Sequence, residues 1–182
     1  MSRKKLIILI IAAVAVLVIG VSVTWAYLAA SSAVSNVFTV GNVTLTLTET
    51  TGETYPLTPG TTLTKDPVLT VKAGSEVSWV FFTAHVDAEL RNYVTYEIAA
   101  GWTPLDGYTD VYYRLVDATT AGRAFALLKN HSVQVAETVT EEQLAAMTSS
   151  LKMNFTGYAL QQDGIADPHQ AWKILNEEVT VR

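Results

Sequence analysis

The residues best suited to chemistry are few. Three histidines, His85, His131 and His169, stand far apart in a chain of 182 residues. Zinc hydrolases gather their ligands closely, most compactly as HExxH on one helix face, and neither that motif nor another metal-binding spacing is present. Cysteine is absent, which excludes a thiol nucleophile and a disulfide framework, and no serine occupies a G-x-S-x-G turn. One pair of carboxylates brackets a glycine turn, Asp106-Gly107-Tyr108-Thr109-Asp110. Asp106 and Asp110 would hold calcium if backbone carbonyls joined them, although a bare turn calls for the same residue types. His85 shares strand parity with Trp79 and Phe81, which predicts partial burial beside aromatics rather than ligation. His131 and His169 read as turn and helix-start residues. The abundant resource is aromatic: Trp79, Trp102 and Trp172 with Tyr93, Tyr96, Tyr112, Tyr113 and Tyr158. Exposed, these rings would form a stacking platform for carbohydrate; their alternation along strands favours core packing instead. The expectation is a protein without catalytic machinery or cofactor.

The elements that must position these residues are mainly strands. Residues 43–48 alternate so that Val43, Leu45 and Leu47 share one face and threonines the other. Phe38 and Val40 lie on the opposite parity, and the phase changes at Gly41-Asn42, where a bulge or tight turn would reset the register. Residues 49–65, rich in Thr, Gly and Pro, read as a long mobile connection ending in a Pro59-Gly60 turn. Residues 68–72 alternate again. Residues 77–86 are apolar on both parities around Trp79–Phe82, which predicts a strand covered on both faces. The runs 93–99 and 111–116 read as a hairpin with a long tip, and residues 151–159 as a further alternating strand. Two short helices are predicted. Thr140 and Gln143 form the signature of a capping box ahead of Leu144, Met147 and Leu151; Asp167-Pro168 opens the second, with Ala171, Trp172 and Leu175 as its apolar stripe. Together these predict an all-β, antiparallel, jelly-roll-like β-sandwich with two short peripheral helices.

The N-terminal end reads as a secretory leader. Arg3, Lys4 and Lys5 precede an uncharged apolar run from Leu6, and Thr24-Trp25-Ala26 places small residues at the −3 and −1 positions. Cleavage is expected between Ala26 and Tyr27, leaving one domain over 27–182, with Ala29 or Ala30 as later alternatives. The competing reading is a retained transmembrane anchor, since apolar character continues to Ala30. Either way the basic end stays inside and the remainder is exported, so the membrane is a partner only through an uncleaved leader. Loss of the leader removes three of the 12 Lys and Arg and none of the 17 Asp and Glu, moving the net charge from −5 to −8. An acidic surface repels nucleic acid and anionic lipid, which excludes both as expected partners.

The segment Thr24-Trp25-Ala26-Tyr27-Leu28, followed by Ala33-Val34-Ser35-Asn36-Val37-Phe38-Thr39-Val40-Gly41-Asn42-Val43, resembles the start of bacterial TasA/camelysin-like secreted proteins, which are processed by the signal peptidase SipW. The Phe-Thr-Val-Gly-Asn-Val run is its most specific part. Further similarity lies in Val71-Lys72-Ala73-Gly74-Ser75-Glu76 and in Tyr158-Ala159-Leu160-Gln161 ahead of Ala171-Trp172, and the whole looks like a clostridial-type member. The resemblance implies a jelly-roll subunit of extracellular matrix or biofilm fibres at the cell surface, in which an N-terminal strand of one subunit completes the sheet of the next. Residues 27–42 would be that donor arm, with Val37, Phe38 and Val40 packing into a neighbouring copy; pairing within the same chain is the alternative. The partners implied are the chain itself, as an oligomer or filament, and a signal peptidase during export. Camelysin is also classed as a metallo-endopeptidase, an activity for which this chain lacks HExxH or any ligand cluster. An adhesin or carbohydrate-binding module is the remaining alternative and rests on the aromatics.

Overall fold

The structure, a computed structural model, describes residues 29–31, 36–51, 54–118, 122–140, 142–143 and 152–180. The expected leader with its junction at Ala26 and Tyr27 lies outside the described residues. Among those described, no helix is long and apolar enough to cross a membrane.

The chain is β-rich, with most strands in antiparallel pairs. Its strands are β1 (Ala29–Ser31), β2 (Asn36–Val40), β3 (Leu45–Thr48), β4 (Thr54–Pro56), β5 (Thr62–Thr64), β6 (Val68–Val71), β7 (Ser78–Val86), β8 (Val94–Ile98), β9 (Thr103–Pro104), β10 (Val111–Val116), β11 (Arg123–Ala126), β12 (Leu128–Val135) and β13 (Met153–Gln161), followed by helix α1 (Pro168–Thr180). A five-stranded sheet runs β2-β13-β7-β10-β9, and two three-stranded sheets run β11-β6-β3 and β5-β12-β8. A separate pair joins β1 to β4.

The doubly apolar strand occupies the place its composition requires. β7 is flanked by β13 and β10 and buried on both faces over most of its length. Val80, Phe82, Ala84 and Val86 point into a large core shared with Leu45, Leu47, Leu69 and Val71 of one small sheet and Val94, Val133 and Val135 of the other. Trp79 and Phe81 point the opposite way, into a second core with Leu160 and with Ala171, Trp172 and Leu175 of α1. Phe81 and Phe82, adjacent in sequence, are both fully buried, and removing one such side chain from water is worth about 1.5–3 kcal/mol.

Local chemistry sets the ends of α1 and of the other expected helix. Asp167 caps α1, its Oδ1 accepting the His169 backbone N–H at 3.0 Å, with Pro168 first in the helix. The capping box also forms: the Thr140 N–H donates to Gln143 Oε1 at 2.9 Å and the Gln143 N–H to Thr140 Oγ1 at 3.2 Å. Leu144, Met147 and Leu151 lie outside the described residues. At Pro59-Gly60 the expected turn closes with the Thr61 N–H on the Thr58 carbonyl at 3.2 Å and Gly60 at φ 71°, the left-handed position that glycine fills without strain.

Two expectations are corrected. The runs at 93–99 and 111–116 do not pair: β8 lies against β12, and β10 against β7 and β9. The turn residues between them close a smaller hairpin, β9 to β10, in which the Leu105 N–H donates to the Val111 carbonyl at 2.9 Å. Gly101, at φ 86°, lies in the passage from one sheet to the other. The connection over 49–65 is also more structured than its composition suggests. It contains β4 and β5, buries Leu57 and Lys65, and is pinned where Asp66 accepts hydrogen bonds from the backbone and hydroxyl groups of Thr50 and Thr51.

At Gly157 the five-stranded sheet packs against Leu69 and Leu45 of the β11-β6-β3 sheet. A Cβ there would collide with Leu69 and lie 3.2 Å from Leu45. Replacement Gly157→Val is expected to destabilise the protein by about 1–3 kcal/mol through overpacking, read as a lower urea midpoint. A smaller cost in the Leu69→Ala background would confirm the contact as its source.

Candidate functional site

The residues expected to mediate assembly lie together on β2. The strand forms one edge of the five-stranded sheet, and its inner edge runs parallel to β13 with Val37 opposite Gly157, Phe38 opposite Tyr158 and Val40 opposite Leu160. It is the one parallel pairing among the described strands; the other edge of β2 carries no partner strand among the described residues. Within this chain, then, β2 fills its own sheet.

Alternation divides β2 between the two cores. Val37 packs against the large core and Val40 against the smaller. Phe38 stacks on Tyr158 with ring centroids 5.4 Å apart at 17°. Tyr158 meets Trp172 edge-on at 5.0 Å and 84°, and Trp172 leans on Phe81 at 5.3 Å. A row of rings thus connects the edge strand through β13 to α1 and the central strand. Aromatic pairs of this kind are each worth about 0.5–1.5 kcal/mol beyond their buried area. The Trp172 indole N–H is buried without an acceptor among the described residues, whereas Trp79 donates to the Ile165 carbonyl at 2.9 Å.

The exit from β2 is the phase reset expected at Gly41-Asn42. Gly41 adopts φ 86°, and its carbonyl accepts the Val43 N–H at 3.0 Å. The Asn42 N–H donates to Gln161 Oε1 at 3.0 Å, tying the turn to the end of β13. The turn moves the chain from the five-stranded sheet into the β11-β6-β3 sheet and brings Val43, Leu45 and Leu47 onto the core face.

The metal candidates are not gathered. The Asp110 carboxylate is paired with the Arg91 guanidinium, while the Asp106 backbone carbonyl faces His169 Nε2 at 3.1 Å. No group of three or more His, Cys, Asp or Glu side chains able to hold a metal occurs among the described residues. His85 departs from its expected burial: its side chain is 74% exposed beside Asp87. It shares parity with Trp79 and Phe81 but lies beyond the cluster that α1 closes over them. His131 belongs to β12, where it and Asn130 both adopt positive φ at 52° and 55° and the pairing with β8 shifts register. His169 is in the first turn of α1, as its position after Asp167-Pro168 implies.

Sequence reading missed two charged features. Lys65 is buried and paired to Glu49 at 2.7 Å; burial lowers its pKa, opposed by the hydrogen bond and charge of Glu49 and by the charge of Asp66. Arg114 lies over the rings of Phe125 and Trp102, 4.0 and 5.0 Å from their centroids. The available signal for Arg114 was parity: it alternates with Tyr112 and Val116, which face the large core.

The chain matches no protein-family model, none of the curated proteins and none of the solved structures with which it was compared.

Asp66 supplies a pH test of this region. Burial alone would raise its carboxyl, but the hydrogen bonds from Thr50 and Thr51 outweigh that and hold it down, from its ordinary 3.8 to about 2. A depressed carboxyl stabilises the fold above its unfolded value, and that contribution is lost as the pH falls toward about 2. Asp66→Asn is therefore expected to cost about 1 kcal/mol at neutral pH and progressively less in acid, read from urea melts between the two limits. A cost independent of pH would assign the effect to packing.

Proposed function

We propose that this chain is a secreted structural subunit of extracellular matrix or biofilm fibres, built as a jelly-roll-like sandwich and assembling with copies of itself by addition of its N-terminal strand. The observation that carries the reading is β2: an edge strand, parallel to β13 in an otherwise antiparallel sheet, whose Val37 and Val40 pack against the two cores and whose Phe38 stacks on Tyr158. An extended segment with alternate apolar anchors is what strand addition requires, because the ladder supplies affinity and the anchors supply register. The same five residues that close this sheet would close a neighbour's. In this reading the leader directs export, a signal peptidase releases the mature chain after Ala26, and the release frees the segment from Ser31 to Val40 from the membrane.

The two other readings draw less support. A carbohydrate platform needs exposed rings, and Trp79, Trp102 and Trp172 are buried. A camelysin-like metallo-endopeptidase needs a ligand cluster, and the described residues gather none.

Negative-stain microscopy of the mature protein at raised concentration is expected to show fibres. Deletion of residues 27–40 is expected to leave soluble monomers. Fibres formed equally well by the deletion variant would overturn strand addition, and a uniform monomer of the intact mature protein at every concentration would overturn the structural reading itself.

A further inference from the structure

Among the described residues, Arg114 is anchored on its apolar surfaces and unanswered at its polar ones. The residue comes from β10, and its guanidinium lies over Phe125 of β11 at 4.0 Å and over Trp102 at 5.0 Å. Trp102 is itself fixed, buried with its indole N–H donating to the Ala126 carbonyl at 2.9 Å. Phe82 meets the Trp102 ring edge-on at 4.8 Å and Phe125 meets it at 6.3 Å. Gly101 leaves room for the guanidinium, since a Cβ there would stand 2.7 Å from Arg114 Nη2. The side chain therefore has one well-defined seat, at the seam where the five-stranded sheet meets the β11-β6-β3 sheet.

Its hydrogen-bonding capacity goes unused among the described residues. The other arginines of the described residues reach carboxylates, Arg91 to Asp110 and Arg123 to Asp117, whereas Arg114 has no hydrogen bond or ion pair among the described residues. A guanidinium carries five N–H donors in a rigid fork that matches a carboxylate bidentately. Burial lowers the Arg114 pKa, yet a guanidinium stays cationic at neutral pH. Partial desolvation strengthens a charge-assisted hydrogen bond made there. The net charge of −5 disfavours polyanions most strongly at a site with one cation, and among singly charged groups a carboxylate matches the planar fork.

We propose that Arg114, seated on Trp102 and Phe125, is a binding site for a single carboxylate, presented by a small sugar acid or by an acidic peptide side chain. The fork would donate to the two carboxylate oxygens while the rings below hold its plane. The inference stands apart from strand addition, since β10 and β11 share no pairing with β2.

The test is an NMR titration of the mature protein at neutral pH, following the Arg114 Nε–H and Trp102 indole N–H resonances. The probes are sodium glucuronate and N-acetylaspartate, with sodium chloride and sodium sulfate at matched ionic strength. Saturable shifts of both resonances are expected with a carboxylate and not with chloride; saturation by glucuronate alone or by N-acetylaspartate alone supports the site and identifies its source of ligand. Arg114→Met, which retains an apolar stem over the rings, is expected to weaken binding about tenfold or more, and Arg114→Lys to restore it only in part. Shifts linear in carboxylate and equalled by chloride would overturn the proposal, as would saturation by sulfate without either carboxylate. The wild-type titration decides the matter even if the Met variant does not fold.

Discussion

The rest of the structure depends on the burial of β7 from both sides. A strand that presents Trp79 and Phe81 to one face and Val80 and Phe82 to the other cannot lie at a surface, so the chain must build a layer on each side of it. The small sheets supply one layer and α1 supplies the other. Placing β13 and β10 on its two edges satisfies the backbone as well, because a buried strand leaves no unpaired amide without cost. The antiparallel register of β7 with β13, from Ser78 opposite Gln161 to Val86 opposite Met153, is the longest ladder among the described strands, and β2 and β10 attach to its two sides.

What the sequence made legible were the features set by local physics. The double apolar parity of residues 77–86, the alternation of β3 and β13, the Pro59-Gly60 turn, the phase reset at Gly41, the capping box at Thr140 and the Asp167-Pro168 helix start all follow from side-chain period or backbone preference. Each can be read from a handful of neighbouring residues. Pairing across sheets could not be read that way. β8 and β10 looked like partners because turn residues separate them, yet partner choice is settled by which apolar face each strand must bury, a property of the whole sheet. His85 shows the same limit: parity placed it on the correct face, but the reach of α1 along that face decided its exposure.

The charged residues divide along the same line. Asp110 looked like a ligand because it follows a glycine turn, and its actual partner, Arg91, is in a separate element. The buried Lys65 and the ring-seated Arg114 carry no local motif, since their surroundings are assembled from Glu49 and Phe155 in one case and from Trp102 and Phe125 in the other. Charges inside a β-rich fold are positioned by non-local geometry, and sequence spacing says little about them.

The parallel course of β2 along β13 has a mechanical consequence. Parallel strands start at the same end, so the chain enters β2 beside Thr156 and leaves β13 for α1 at the opposite end, beside Val40. Tension applied through the two ends would therefore pull β2 and β13 past each other lengthwise. In that shearing geometry the bonds between residues 36–40 and 156–160 share the load together, whereas a peeled strand would break them one after another. The edge strand is thus well placed to resist a pull along the molecule.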